Sequence, residues 1–342
     1  MAAETLPWSW YSDPELLTAE RRRIFERSWQ YVGHTGEVSR PGDRTASHAG
    51  HVPVALVRDE SGNLRAFLNV CRHRGHEVVS GTGNRRSLQC PYHAWTYNLD
   101  GSLLKAPRSE QEPDFDASEL GLIPLRVETW GPLVFVNPDP EAAPLGDVLG
   151  PVPELLAQGG IDPVELSFRQ RVEYDVAANW KVVIENYLEC YHCPTAHPGF
   201  SRVVDVDPAR YRLESADWSA SQFGRSRNGR EPVKVGQFHF VWPNLRVNVF
   251  PGPRNLSIGP ALPAGTDRTS GFFDYFFAEG TPDDAVAELM RFDNEVTAED
   301  RALIESVQRG MGSGLLGHGR LLAGSEHLIQ HFQGLVRREL AQ

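Results

Sequence analysis

The sequence predicts an α+β chain of two domains, an all-β domain followed by an antiparallel sheet flanked by helices. Three observations carry this expectation. Up to about residue 140 the chain breaks into short β segments divided by Gly, Pro, Asn and Asp turn formers. Beyond that point strand-like stretches are joined by apolar residues at helical spacing, over 179–193, 283–309 and 325–339. The chain of 342 residues is also long enough to bury two separate cores.

The elements follow in order. Asp13-Pro14-Glu15 reads as a helix start, with Asp13 as the cap, Pro14 in the first turn and Glu15 at the positive end of the dipole. That helix is expected to reach about Arg27. Strands are predicted over 29–32, 54–57 and 64–70, punctuated by Pro41-Gly42-Asp43 and Ser61-Gly62-Asn63. Another over 95–99 leads into Asp100-Gly101, a strong hairpin signal. A strand over 131–136 runs into Asn137-Pro138-Asp139-Pro140, where the all-β domain should end. Residues 140–165 form a connection with a short helix around 152–157. After it come a strand over 168–174, a helix over 179–193 stopped by Pro194, and strands over 237–241, 245–250, 255–258 and 271–277. Two helices close the chain, over 283–309, with a break expected near Val296, and over 325–339.

Composition removes several classes of function. A net charge of −11 argues against a nucleic-acid surface, and the basic runs Arg21-Arg22-Arg23 and 225–230 are short enough to be solvated faces. Four cysteines, at 71, 90, 190 and 193, are too few for a disulfide framework in a chain of this size. Residues 1–17 lack a cationic start followed by an apolar stretch, so no signal peptide is expected. No apolar run approaches the roughly 20 residues needed to span a bilayer. The expectation is a cytoplasmic protein without a membrane partner.

Two constellations carry chemistry. The first is Cys71-Arg72-His73-Arg74-Gly75 together with Cys90-Pro91-Tyr92-His93. Each arm holds one cysteine and one histidine beside a turn former, which suits two loops pinching one metal centre. Thiolates are the usual holders of iron–sulfur clusters, and one iron of a [2Fe–2S] pair can take two histidines instead. A structural zinc site also accepts two Cys and two His, but zinc modules usually pair like ligands within each arm, and this chain does not. The second constellation is Glu185, Asn186, Glu189, His192 and His197. On a helix, Glu185, Glu189 and His192 would share one face, and the chain would have to turn back past Pro194 to return His197. Two histidines and a carboxylate with open positions make the facial triad of non-haem iron oxygenases.

Together the two patterns resemble the Rieske non-haem iron oxygenases, specifically their oxygenase (alpha) component, over nearly the whole chain. The resemblance implies a [2Fe–2S] cluster on Cys71, His73, Cys90 and His93, and a mononuclear Fe(II) on His192, His197 and a late-helix aspartate matching Asp300. Asp293, Glu295 and Glu299 remain rivals for that third position, and Thr297 to Asp300 has the spacing of a capping box. It further implies that Glu189 is a carboxylate linking His192 to a cluster histidine of a neighbouring subunit, with Asn186 beside it in the catalytic region. Glutamate at 189, rather than aspartate, and the Glu185-Asn186-x-x-Glu189 spacing resemble the carnitine, choline and glycine betaine oxygenase branch. One departure is Ala94, where many relatives carry glycine.

The resemblance implies an N-terminal helical segment (1–30) packing on the catalytic domain, a Rieske domain (31–142) and a catalytic iron domain (143–342). It implies O₂ as co-substrate, electrons from NAD(P)H through a separate flavin/iron–sulfur reductase or ferredoxin, and a head-to-tail homotrimer acting on a small molecule. The expected reaction is hydroxylation or oxidative demethylation. An aromatic-ring-hydroxylating dioxygenase and a non-catalytic Rieske electron carrier are the alternatives. Trp218, Phe223, Phe238, Phe240, Trp242 and Phe250 could line an aromatic cage or simply fill a sheet core.

Three patterns are set aside. Gly312-Ser313-Gly314-Leu315-Leu316-Gly317 imitates a dinucleotide loop but follows a helix rather than a strand. His327 and His331 lie one helical turn apart without a placed carboxylate. Cys190 and Cys193 imitate a redox pair and are expected to be buried thiols.

Overall fold

A computed structural model describes residues 4–341, so most of the stretch read for a signal peptide is covered but its first three residues lie outside the described residues. The chain divides into two compact units, one of residues 25–145 and the other of residues up to 24 together with 146 onward.

Helix α1 (Pro14–Arg23) starts where predicted, with the Asp13 carboxylate accepting from the backbone N–H of Glu15 and Leu16. It stops earlier than predicted, at Ile24, before a short 3₁₀ turn over Phe25–Arg27. The unit that follows is built of β1 (Gln30–His34), β2 (Asp43–Ala49), β3 (Val52–Arg58), β4 (Leu64–Leu68), β5 (Thr82–Asn84), β6 (Leu88–Gln89), β7 (Thr96–Tyr97), β8 (Leu103–Lys105), β9 (Pro124–Trp130) and β10 (Leu133–Asn137). Seven form a sheet in the order β1-β10-β9-β4-β3-β2-β5, and β6-β7-β8 form a small sheet of their own. The Asp100-Gly101 turn joins β7 to β8. Asp100 Oδ1 accepts from the Ser102 N–H at 2.9 Å, and Gly101 sits at φ 90°, where an added Cβ would fall 2.4 Å from Phe67.

The second unit continues with α2 (Leu145–Leu149), α3 (Val152–Gln158), β11 (Leu166–Val176), α4 (Trp180–Tyr187), α5 (Cys193–Ala196), α6 (Pro198–Val203), β12 (Arg212–Ala216), β13 (Ser219–Arg225), β14 (Val235–Val241), β15 (Leu245–Val249), β16 (Asn255–Pro263), β17 (Thr269–Ala278), α7 (Asp283–Met311) and α8 (His327–Ala341). Its strands make one antiparallel sheet, β11-β17-β16-β15-β14-β13-β12. Side chains alternate across it, so Phe238, Phe250, Phe273, Tyr275 and Phe277 share one core with Leu289 and Met290 of α7. Contrary to the expected break near Val296, α7 is continuous.

Helix α4 is anchored by a buried ion pair. Lys181 Nζ lies 2.6 Å from Glu20 Oε1 of α1, both side chains fully buried, and Trp180 Nε1 donates to Glu20 Oε2 at 2.8 Å. Removing one partner of such a pair typically costs about 3–5 kcal/mol, because the other charge is left stranded. This fixes the helix from which the second constellation departs. Among the described residues, no helix is long and apolar enough to cross a membrane.

Candidate metal centres

The Cys/His arms of the first unit close by the same local device. The Gly75 N–H bonds to the Cys71 carbonyl at 3.0 Å, and the Ala94 N–H bonds to the Cys90 carbonyl at 3.0 Å. In each loop the closing residue is left-handed, Gly75 at φ 77° and Ala94 at φ 58°. That conformation is free for glycine and costly for alanine.

Cys71 and Cys90 are 2% exposed, whereas His73 lies at the surface and His93 is half-buried. The two imidazole rings stand edge to face with centroids 4.5 Å apart, and Trp95 stacks on His73 at 5.0 Å. Tyr97 Oη lies 3.3 Å from Cys71 Sγ and accepts the Arg72 N–H at 3.0 Å. Burial raises the Cys90 thiol, and the backbone N–H groups of Tyr92 and His93 oppose it by favouring the thiolate. Two buried sulfurs on one side and two accessible imidazoles on the other fit a [2Fe–2S] pair with a Cys₂ iron and a His₂ iron. Sequence reasoning missed Tyr97, which carries no metal-ligand signature.

The second constellation forms differently from the expectation. Helix α4 ends at Tyr187, so Glu189 and His192 are not on a helix face with Glu185. Instead Glu189 Oε2 accepts from the N–H of Tyr191 at 2.5 Å and of His192 at 3.1 Å, and this side-chain turn replaces the helical one. Cys190 and Cys193 are bonded to each other rather than free, because the turn brings their Cα atoms to 4.9 Å. Glu185 faces away, accepting from Tyr11 Oη at 2.7 Å and from Gln333 at 3.0 Å. Pro194 lies at the start of α5, which ends at His197.

Helix α7 supplies the carboxylate. His192 Nε2 and His197 Nε2 are 3.1 Å apart, and Asp300 Oδ1 lies 3.0 Å from the second and 3.5 Å from the first. Three donors bound to one ion at about 2.1 Å and at right angles would stand about 3 Å from one another, so this set fits one cation with its other positions open. The far ring nitrogens are also held. His192 Nδ1 bonds Glu189 Oε1, and His197 Nδ1 donates to Glu299 Oε2 at 2.7 Å. Both Nε2 atoms are thereby left facing Asp300. Burial alone would lower the His192 pKa, but the Asp300 and Glu189 carboxylates outweigh it and push it up to about 9. Thr297 is mid-helix, so Asp300 is not part of a capping box. Asp293 is taken by Tyr275, whose hydroxyl donates to it at 2.5 Å.

The three side chains open on a cavity of about 100 Å³ that Asn186 and Glu189 also line. Of the six aromatic residues singled out from the sequence, Phe238 and Phe250 reach it. Phe240 packs on Phe332, Phe223 on His239, and Trp218 on Trp242. The remaining aromatic wall is Tyr187, Phe200, Tyr211 and Phe273, and Arg246 and Asp293 add charge. His327 Nδ1 bonds the Gly324 carbonyl at 3.0 Å, with no metal-binding group of three formed there among the described residues.

Comparison with known proteins follows the same division. Residues 164–342 match the family described as ring hydroxylating alpha subunit (catalytic domain), and residues 28–127 match the Rieske [2Fe-2S] domain. The chain is 36% identical to the carnitine monooxygenase oxygenase subunit of Acinetobacter pittii, covering 98% of this chain and 94% of that one. It is 35% identical to the chloroplastic choline monooxygenase of Arabidopsis thaliana, covering 99% and 83%. A solved quaternary ammonium Rieske monooxygenase, described for carnitine oxidation and inter-subunit electron transfer, superposes with a TM-score of 0.88 at 34% identity, covering 99% and 96%.

Proposed function

The chain belongs to the ring-hydroxylating alpha-subunit family of Rieske non-haem iron oxygenases, and from that premise we propose that it oxidises a quaternary ammonium compound. It is the terminal oxygenase of a multicomponent system. When bound, the Rieske cluster supplies single electrons and the mononuclear iron uses them to reduce O₂. Cys71 and Cys90 would hold one cluster iron and His73 and His93 the other, with His192, His197 and Asp300 holding the mononuclear iron. The observation that carries this reading is the approach of the His192 Nε2, His197 Nε2 and Asp300 Oδ1 atoms to 3.0–3.5 Å at the wall of an aromatic cavity.

The chain's own residues then have distinct work. Glu189 and Glu299 hold the two imidazoles by Nδ1, which orients the rings and aims both Nε2 atoms at the place a cation would take, in competition with a proton. Phe200, Phe238, Phe250 and Phe273 exclude water and offer π faces to an N-methyl cation. Asn186 lines the same space. The carnitine and choline oxygenases named above act on substrates of this chemistry, which supports the reading.

We assign the assembly as a head-to-tail homotrimer in which His93 of one copy serves Glu189 and His192 of the next. The inter-subunit transfer described for the solved relative favours this. A separate reductase would deliver electrons from NAD(P)H in the cytoplasm. The three-part domain division at 30 and 142 remains our reading of the chain.

The test is turnover with a generic flavin/iron–sulfur reductase and NADH, measuring substrate-stimulated NADH oxidation and O₂ uptake. Quaternary amines should stimulate both and aromatic acids neither. Stimulation by aromatic acids alone would favour a ring dioxygenase, and stimulation by nothing would favour an electron carrier.

A further inference from the structure

Arg246 is a cation at the cavity wall that the chain itself leaves largely unanswered. It stands on β15 two residues before Asn248, and strand alternation turns both side chains to the same cavity. Its guanidinium lies over aromatic rings, 4.5 Å from the Phe273 centroid and 5.1 Å from that of Tyr174. Among the described residues its hydrogen-bond acceptor is Tyr174 Oη, while Nε has none. Among the described residues no carboxylate lies within ion-pair distance of it, although the Asp293 carboxyl is close enough to feel its charge. Asp293, on the same wall, instead accepts the Tyr275 hydroxyl at 2.5 Å. A half-buried guanidinium, with donors in a planar fork and no carboxylate hydrogen-bonded to it among the described residues, is a poor packing element but a fitting receptor for a carboxylate.

We propose that Arg246 selects the substrate by its acid end: the preferred compound is a quaternary ammonium zwitterion whose carboxylate is bound by the Arg246 guanidinium within the cavity lined by His192, His197 and Asp300. The inference rests on the quaternary ammonium reading above and narrows it. Because one cavity holds both Arg246 and the three converging donors, an anchored carboxylate leaves the ammonium end among the aromatic faces. Choline, with a hydroxyl where a betaine has its carboxylate, would fill the aromatic part and leave the guanidinium unmatched.

The experiment is equilibrium binding by calorimetry to the oxidised holoenzyme without reductase, so that no turnover occurs. The probes are γ-butyrobetaine, its methyl ester and choline. The free acid should bind at least about tenfold more tightly than ester or choline, as expected for a charge-assisted hydrogen bond. Arg246→Gln should remove that advantage while leaving choline within about twofold, which also reports that the cavity is intact. Equal binding of acid and ester by the wild type would overturn the proposal whether or not the variant folds, and leave the quaternary ammonium reading standing. An equal loss for acid and choline in Arg246→Gln would overturn it too. Binding of none of the three would remove both readings together.

Discussion

Glu299 Oε2 accepts a hydrogen bond from His197 Nδ1 at 2.7 Å, on the edge of the ring opposite to Nε2, which faces the adjacent Asp300 at 3.0 Å. Two successive carboxylates of α7 therefore grip one imidazole from both sides. Their roles separate by substitution. Asp300→Ala should leave the cluster's visible spectrum intact, lower iron by about one per chain and abolish turnover, since a donor atom is gone. Glu299→Gln keeps every donor and loosens one ring, so iron affinity should fall by about 10–100-fold in a chelator competition. An unchanged affinity in Glu299→Gln would make that carboxylate a mere helix-surface group, and retained iron in Asp300→Ala would send the assignment back to the neighbouring acids.

The division of labour between Glu299 and Asp300 was not legible in residue spacing, because two adjacent carboxylates on one helix are chemically equivalent until the fold places His197 between α5 and α6 against them. The Cys71–His93 pattern was legible because its chemistry sits in two short loops whose spacing is itself the signal. The overrun of α4 has a local cause. Apolar spacing continues past Tyr187, yet the Glu189 carboxylate captures two backbone N–H groups and ends the helix. Strands β2, β12 and β13 were missed since polar residues interrupt their alternation, as in Arg212–Ala216. Arg246 gave no signal either, because a lone arginine on a strand normally points to solvent.

Ala94 offers a test of backbone strain in the cluster loop. It occupies φ 58° in the turn that Gly75 occupies without penalty in the other arm. A non-glycine residue there costs about 1–2 kcal/mol, part of which glycine returns as unfolded-state entropy. Ala94→Gly should therefore raise the denaturant midpoint for loss of the visible cluster absorbance, corresponding to a gain in unfolding free energy of up to about 1 kcal/mol. A lowered midpoint would mean that the alanine methyl packs favourably enough to outweigh its dihedral.

Glu185 makes the stability of the second unit depend on pH. It is buried, and desolvation raises its carboxyl from 4.5 to about 7, although Tyr11 and Gln333 donate to it. Below about pH 4.5 the folded and unfolded carboxyls both hold the proton. Between about 4.5 and 7 the unfolded one has released it and the folded one has not, so stability falls as pH rises. The loss is complete above about pH 7 and amounts to up to about 3 kcal/mol. Glu185→Gln should abolish that slope and unfold at higher denaturant than wild type at pH 8, its amide having Gln333 Oε1, unpartnered among the described residues, as an acceptor. Parallel pH profiles for the two proteins would show that Glu185 stays ionised in the fold.

Glu189 is the residue on which ring orientation and loop shape both depend. One carboxylate oxygen meets His192 Nδ1, and the other receives the N–H groups of Tyr191 and His192. An amide has a single accepting oxygen, so in Glu189→Gln either the ring or the turn loses its partner. Neither metal site loses a ligand, and the cluster spectrum and most of the iron should survive. If Glu189 also links His192 to His93 of a second copy, the variant should be slowed where the two copies meet. Single-turnover mixing of prereduced enzyme with substrate and O₂ would read this as cluster reoxidation about 10–100-fold slower than wild type. Glu189→Asp, one methylene shorter but still accepting at both ends, should recover part of the rate. A wild-type rate in Glu189→Gln would mean that the carboxylate only closes the turn after α4, and that the two copies communicate through other groups.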